Sequence, residues 1–124
     1  MTASPGASQR ARGSEPLRRL APLSHAPWPV TWFVYILASD DRRFLYTGEA
    51  RDLRERVGQH RAGTVEAWSR AHRTHRLVWF EPHGTPREAL VRERAIKRWR
   101  RAWKQALIEG MNPDWRDLAG EIPL

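Results

Sequence analysis

The feature of this sequence that most constrains its fold is an unbroken run of apolar residues from Trp32 to Ala38. Apolar side chains occupy both alternating sets of positions, as they do in a strand that is covered on both faces. The run is much shorter than the roughly 20 residues that a membrane-spanning helix needs. It therefore predicts a central β-strand, and the other elements of the fold must supply the layers that cover it.

The segments after this strand predict two more strands and a short helical turn. Residues 39–43 have the composition of a turn, and residues 44–48 follow as a second strand that forms a hairpin with the first. Residues 66–70 predict a helical turn, residues 77–81 a third strand, and residues 82–84 a loop.

The register of the hairpin decides whether its two tyrosines meet. If Leu37 pairs with Phe44, Tyr35 lies opposite Tyr46, and directly opposite residues share a face of the sheet. A slip of one residue would move one of the two phenols to the other face. The sequence leaves both registers open.

A helix with marked ends follows the hairpin. Asp52 is followed three residues later by Glu55, as in a capping box, and Gly63 is a typical residue to end a helix. Arg56 and His60 are four residues apart and fall on the flank of the apolar stripe of this helix. Both side chains are therefore predicted to hang over the edge of the sheet.

A second, longer helix is predicted after the third strand. Thr85 supplies a hydroxyl cap, and Pro86 occupies the first helical position, which proline favours. The helix is predicted to continue to Gly110 with a bend near residues 99–101, and residues 114–118 predict one last helical turn. Together these elements place the chain in the α+β class.

Glu93 is the residue of the long helix that most strongly suggests chemistry. Its neighbours three and four positions away include Ala89 and Ile96, so its carboxylate projects from the stripe that faces the sheet. An ionised carboxylate buried without a cation or hydrogen bonds costs several kcal/mol. A bound metal ion, an ion pair with Arg56, and a position in water at the edge of the stripe are the explanations that the sequence leaves open.

A basic segment covers residues 94–104 and contains no acidic residue. Such a helix typically contacts nucleic-acid phosphates, whereas a merely solvated helix face mixes both signs of charge. Trp99 and Trp103, four residues apart, either stack on bases or belong to the core. The predicted nucleic-acid-binding residues are Arg94, Lys97, Arg98, Arg100, Arg101 and Lys104.

Composition narrows the chemistry and the partner. The 124 residues include no cysteine, which excludes a disulfide scaffold, a thiolate zinc site and a cysteine nucleophile. Any metal must be held by carboxylate, imidazole or water, and this favours a hard cation such as magnesium or manganese. A formal net charge of +8 favours a polyanionic partner, most often nucleic acid.

The N-terminal part differs from the rest of the chain. Residues 1–29 are rich in Pro, Ser, Ala, Gly and Arg and predict a disordered basic leader, or an extension from an upstream start codon. Residues 30–124 are then the folded domain. The leader lacks the apolar core of a secretory signal, so we expect a cytoplasmic protein that does not enter membranes.

Four segments, in this order, resemble the motifs of the GIY-YIG nuclease superfamily. Residues 34–36 (Val-Tyr-Ile) and 46–48 (Tyr-Thr-Gly) resemble the two halves of the motif that names it. Residues 49–60 resemble its Arg-x-x-x-His helix, and residues 92–97 its metal-binding Glu segment. The ending, residues 97–115, resembles the small stand-alone bacterial members.

The resemblance implies a three-stranded antiparallel sheet flanked by helices and a one-metal hydrolysis of phosphodiester bonds. Glu93 would bind one divalent ion, Mg²⁺ or Mn²⁺, and Arg56 would neutralise charge on the transition state. Tyr35 would position or deprotonate the attacking water, Tyr46 would hold the phosphate or assist, and His60 would support the base or the leaving group.

The implied function is a DNA endonuclease in repair or processing, directed by backbone and structure because no recognition domain is attached. A non-catalytic nucleic-acid-binding module of the same fold and an RNA-directed protein are the alternatives. Residues 68–72 (Trp-Ser-Arg-Ala-His) depart from the Phe-Thr-x-Lys-Tyr of close relatives, and residues 50–52 also differ. These departures bear on substrate fit more than on hydrolysis.

Overall fold

A computed structural model gives the fold and describes residues 31–64 and 67–123. The predicted leader and residue 66 of the predicted helical turn lie outside the described residues. None of the helices in the described ranges is long and apolar enough to cross a membrane.

Within these ranges the chain forms three strands, four α-helices and a short 3₁₀ turn. The elements are β1 (Trp32–Ala38), β2 (Leu45–Ala50), α1 (Leu53–Ala62), α2 (Ala67–Ala71), β3 (Arg76–His83), α3 (Pro86–Arg98), α4 (Arg101–Met111) and a 3₁₀ turn (Ala119–Glu121). The strands form an antiparallel sheet of order β2-β1-β3. The expected α+β fold, with a three-stranded antiparallel sheet flanked by helices, is confirmed.

The apolar run of the sequence is the middle strand of the sheet, as predicted. Alternate residues of β1 belong to two separate apolar clusters, one on each face of the sheet. One cluster packs β1 and β3 against α1 and the C-terminal residues Leu118 and Ile122. The other packs the opposite face against α3 and α4 through Ala89, Ile96 and Ile108. Helices on both faces explain why the strand is apolar on both sides.

The hairpin register differs from the pairing of Leu37 with Phe44. Leu37 pairs with Tyr46, and Tyr35 pairs with Gly48. The shift is of two residues, so it leaves every side chain on its face. The two phenols therefore share a face diagonally rather than directly opposite each other.

The caps that the sequence predicted are present. The Asp52 carboxylate accepts a hydrogen bond from the Glu55 backbone N–H at 3.0 Å, and Gly63 ends α1 with φ 74°. Thr85 caps α3 by accepting from the Glu88 N–H at 3.1 Å. These signals are local to each helix end, which is why the sequence displays them.

Two of the predicted element boundaries were wrong. The third strand continues through residues 82 and 83, which were predicted to be a loop. Because β3 is an edge strand, a proline that lacks an N–H can be accommodated there. The long helix is two helices rather than one bent helix, since residues 99 and 100 have extended backbone angles. The break lets Trp99 and Ile108 pack against the same apolar cluster.

The predicted last helical turn at residues 114–118 was also wrong. The buried Asn112 side chain accepts from the Arg116 N–H at 3.2 Å and donates to the Arg116 carbonyl at 2.8 Å. It also donates to the Val78 carbonyl at 3.1 Å. These bonds satisfy backbone groups that a helix would otherwise pair, and they fasten the C-terminal segment to β3.

The Tyr35 ring lies directly across the backbone of Gly48. A Cβ atom at residue 48 would approach the Tyr35 hydroxyl oxygen to 2.6 Å and its Cζ to 2.8 Å. Gly58, in the middle of α1, has nothing within 4 Å of such an atom. A neighbouring side chain therefore approaches closely enough to favour glycine at residue 48, but not at residue 58.

We expect Gly48→Ala to lower the free energy of unfolding by about 1–3 kcal/mol, because the added methyl forces the Tyr35 ring to move. Urea unfolding measures this loss. Gly58→Ala is the matched control and should raise the stability by about 0.5–1 kcal/mol, since alanine is the better helix former and the space is open. A Gly48→Ala variant as stable as the wild type would show that the Tyr35 ring has another place to go.

Candidate active site

The five side chains for which the motifs predicted chemistry come together at the β2 edge of the sheet. The rings of Tyr35 and Tyr46 are 6.3 Å apart between centroids. Helix α1 places the His60 ring 5.9 Å and 4.9 Å from those two rings. The charge of Arg56 acts on both Tyr35 and His60, and the charge of Glu93 acts on Tyr35. Elements distant in sequence therefore deliver all five to one place.

A chain of buried hydrogen bonds starts at Tyr35. Its hydroxyl lies 3.0 Å from Nε2 of His60, and Nδ1 of His60 lies 3.0 Å from the Ser69 hydroxyl. Ser69 in turn donates to the Thr74 carbonyl at 3.2 Å and lies 2.5 Å from the Thr74 hydroxyl. With its proton directed at Thr74, the Ser69 oxygen accepts from Nδ1–H of His60. Nε2 of His60 then accepts from the phenol of Tyr35.

The surroundings of the His60 imidazole favour its neutral form. Burial lowers the pKa of His60 from 6.5 to about 4, and the positive charge of Arg56 contributes to the same shift. Below neutral pH as well as above it, Nε2 therefore keeps a lone pair available to the Tyr35 hydroxyl.

The two phenols differ in their access to water. Tyr35 is fully buried, and burial raises its pKa above the ordinary value. The neighbouring Tyr46 raises the pKa of Tyr35 further, whereas the Arg56 guanidinium opposes both through its charge and a hydrogen bond. Tyr46 is only half-buried. Of the pair, Tyr46 is therefore the tyrosine that keeps part of its surface exposed to water.

The carboxylate of Glu93 is buried and paired with lysine. Its side chain is 12% exposed, and one oxygen lies 2.7 Å from the Lys97 ammonium, one turn further along α3. The same ammonium lies 5.9 Å from the centre of the Tyr46 ring. The ion-pair explanation for Glu93 is therefore realised with Lys97 and not with Arg56.

Few groups in the described part of the chain could hold a metal ion. No cluster of three or more His, Asp or Glu side chains with metal-binding geometry occurs in residues 31–64 and 67–123. Glu93 is the single carboxylate among the five site residues. An ion held there would complete its coordination with water and with oxygen atoms of a substrate, which is how Mg²⁺ is commonly bound.

The cations of the basic segment have different surroundings. Arg94 and Arg98 on α3 and Arg100 after it are exposed. Arg101 instead donates hydrogen bonds to carbonyl groups of the turn between β1 and β2. Burial lowers the pKa of Lys104, and the charges of nearby cations add to this effect. Three of the six predicted residues therefore face solvent without such ties to the fold.

The two tryptophans of this segment lie against each other. Trp99 is partly buried against the apolar cluster that includes Ile96, and the Trp103 ring meets it edge-on at 6.0 Å. The Arg100 guanidinium covers the Trp103 ring at 5.1 Å. This placement favours the interpretation of Trp99 as a core residue over that of a base-stacking platform.

Sequence reasoning missed Ser69, Thr74 and the part that Lys97 plays beside Tyr46. Ser69 and Thr74 are 2% and 1% exposed, which is unusual for hydroxyl residues in a polar segment. A small polar residue within the segment that departs from the family pattern was the one available signal. It could not identify His60 as the partner, because the contact joins separate elements.

The pH dependence of stability should report the environment of His60. Between pH 6.5 and about 4 the unfolded protein takes up a proton on His60 that the folded protein does not. The free energy of unfolding therefore decreases as the pH is lowered through this window. His60→Gln removes this contribution. We measure the free energy of unfolding of both proteins in urea. We expect the value for the wild type minus that for the variant to decrease as the pH falls.

Because both proteins contain the same carboxylates, the titration of those groups cancels in the difference. A difference that is constant across the window would show that His60 is not held in a neutral, buried state.

The matches with known proteins agree with this geometry. The profile of the GIY-YIG catalytic domain matches residues 31–106, a range that contains all five site residues. The UPF0213 proteins of Staphylococcus aureus strains Mu3, Mu50 and N315 are each 40% identical over 77 residues, which cover 62% of this chain and 93% of each relative. No solved structure matches the chain. The chain belongs to the GIY-YIG catalytic domain family, as its motifs predicted.

Proposed function

We propose that the protein is a metal-dependent endonuclease that hydrolyses phosphodiester bonds of DNA and takes part in DNA repair or processing. The observation that carries the proposal is the convergence of two phenols, a neutral imidazole, a guanidinium and a buried carboxylate at the β2 edge. Exposed cations on α3 lie on the same helix as the carboxylate and suit a polyanionic substrate.

Glu93 is the residue that would hold a divalent ion, Mg²⁺ or Mn²⁺. A carboxylate oxygen is a ligand that both ions favour, and a site with one carboxylate leaves positions for water and phosphate oxygens. When bound, the ion would supply Lewis-acid polarisation of the scissile phosphate and stabilisation of the leaving oxygen. Lys97, at 2.7 Å from Glu93, holds the carboxylate in place.

We assign Tyr46 the position next to the attacking water. It is the more accessible phenol, and the Lys97 ammonium near its ring supplies the positive charge that a developing phenolate needs. Tyr35 is fully buried and hydrogen-bonded to Nε2 of His60, so its role is to hold the imidazole and the neighbouring site residues in position. The resemblance left open which tyrosine is the base and suggested Tyr35 for the position next to the water, whereas this proposal places Tyr46 there.

Arg56 would stabilise the charge that builds up on the phosphate. A guanidinium group donates hydrogen bonds in a planar fork that matches phosphate oxygens. Arg56 is half-buried beside Tyr35, where lower solvation strengthens its interaction with a bound anion.

Glu93→Gln should abolish metal-dependent cleavage while leaving DNA binding unchanged or slightly stronger, because a negative charge near the phosphate is removed. The assay uses plasmid, single-stranded, flap and branched DNA with Mg²⁺ or Mn²⁺. Glu88→Gln, which removes an exposed carboxylate from the first turn of the same helix, is the matched control and should cleave normally.

Equal cleavage by the Glu93 variant would contradict the assignment of the metal ligand. Binding without cleavage by the wild type, on every substrate and with both ions, would favour the non-catalytic binding module. Competition with RNA oligonucleotides at fixed salt separates a DNA-directed from an RNA-directed protein.

The double variant Arg94→Ala/Arg98→Ala should weaken binding to all DNA sequences alike, because these exposed cations contact phosphates. The dependence of log Kd on log salt should become shallower by about one unit for every phosphate that the variant no longer neutralises. Arg61→Ala/Arg116→Ala removes the same charge from residues paired with Asp117 and Glu121, and should leave the slope unchanged. A sequence-dependent loss in the first variant would contradict contact with the backbone.

A further inference from the structure

An exposed stack of aromatic rings lies on α2 and the end of the β-hairpin. The rings of Trp68 and His72 are nearly parallel, 20° apart, at a centroid distance of 4.0 Å. Phe44 meets the His72 ring edge-on at 4.6 Å and the Trp68 ring edge-on at 6.3 Å. Although these rings cover part of the indole, Trp68 is 45% exposed, and Val91 is the one other large hydrophobic residue that is exposed among the described residues.

Hydrogen bonds that involve the backbone hold His72 and Phe44 of the stack in place. Nδ1 of His72 lies 2.8 Å from the Trp68 carbonyl, which fixes the imidazole over the indole. Phe44 continues the β1–β2 ladder, since its carbonyl accepts from the Ser39 N–H at 3.0 Å. A flat surface that is already formed loses little conformational entropy when it binds a planar ligand.

The stack adjoins the candidate active site at two points. Ser69, the residue after Trp68, bonds to His60, which in turn bonds to Tyr35. Phe44 lies two residues before Tyr46 and, by the alternation of the ladder, on the same face. A planar group on the indole would therefore lie on the face of the sheet that carries Tyr35 and Tyr46.

The charges around the stack suit a nucleic acid rather than an apolar protein segment. The Arg43 guanidinium lies 5.3 Å from the Phe44 ring. Arg70 and Arg73 are exposed on either side of His72, and residues 67–76 contain no acidic side chain. Flat aromatic rings interspersed with cations are the typical surface for single-stranded nucleic acid.

We propose that Trp68 stacks on an unpaired nucleobase close to the scissile phosphate, so that the preferred substrate is DNA with a single-stranded segment, such as a flap or a fork. Bases inside a duplex stack on each other, and extruding one costs a few kcal/mol, so continuous duplex gains little from the indole. The proposal rests on the proposed nuclease function for the position of the cut, but not for the binding itself.

The test compares Trp68→Leu with Trp68→Phe in the full chain. Both variants lose the indole, but only phenylalanine keeps a flat ring. Binding is measured in EDTA, by fluorescence anisotropy, to a fluorescein-labelled single strand and to the same sequence closed as a hairpin duplex. We expect Trp68→Leu to lose about tenfold in affinity for the single strand and almost nothing for the duplex, and Trp68→Phe to retain most of it.

Trp103→Leu is the control for loss of an indole elsewhere on the basic surface and should not discriminate between the two DNAs. Equal losses on single strand and duplex, or equal losses in the leucine and phenylalanine variants, would overturn the proposal. A fall in thermal stability that accounts for the weaker binding would assign the stack a structural role instead, and overturn it as well. If wild type binds single strands through Trp68 but cleaves no DNA, the stacking surface stands and the nuclease function fails.

Discussion

The burial of the Tyr35 phenol in the central strand is the constraint on which the site depends. A hydroxyl that is removed from water needs a hydrogen-bond partner, and His60 on α1 supplies it at 3.0 Å. The imidazole is buried as well, so its second nitrogen needs a partner, which is Ser69 on α2. Ser69 in turn is satisfied by Thr74, just before β3. One buried oxygen in β1 therefore determines where two helices and the start of the third strand must lie relative to each other.

The Tyr35 ring also restricts the side chain that the neighbouring strand β2 can carry. Because the Tyr35 ring crosses the neighbouring strand, any side chain at residue 48 would force that ring to shift. Two residue pairs further along the ladder, Tyr46 pairs with Leu37 and lies on the same face as Tyr35, in the edge strand β2. Helix α3 approaches this edge from the other layer of the fold and brings Glu93 with Lys97. The site therefore forms where two layers meet at an edge strand, where water and substrate have access to groups that the core holds rigidly.

Structural features that arise from interactions between residues close in sequence were predictable, whereas features that arise from contacts between distant segments were not. Helix starts at Asp52 and Thr85 were predictable because the cap and the backbone groups it satisfies are three residues apart. The central strand was predictable because both of its faces are apolar. The hairpin register, the helix break at residues 99–100 and the non-helical path at residues 114–118 depend on packing and hydrogen bonds between distant segments. The site residues were named from motifs, but the Lys97 pair and the Ser69 hydrogen bond follow from the geometry of the folded chain.

The two kinds of interaction with DNA that we propose, phosphate contacts and base stacking, differ in which DNA structures they can distinguish. Phosphate charges are present on duplex and single strand alike, so contacts from the exposed cations of α3 would add affinity with little preference for either. Stacking on Trp68 requires an accessible base face, which only an unpaired nucleotide offers without an energetic cost of extrusion. A protein with cations alone would bind duplex and single-stranded DNA with little discrimination. In the proposed nuclease, an aromatic surface next to Ser69, which belongs to the hydrogen-bond chain of Tyr35, would instead couple the state of the DNA strand to the position of the cut.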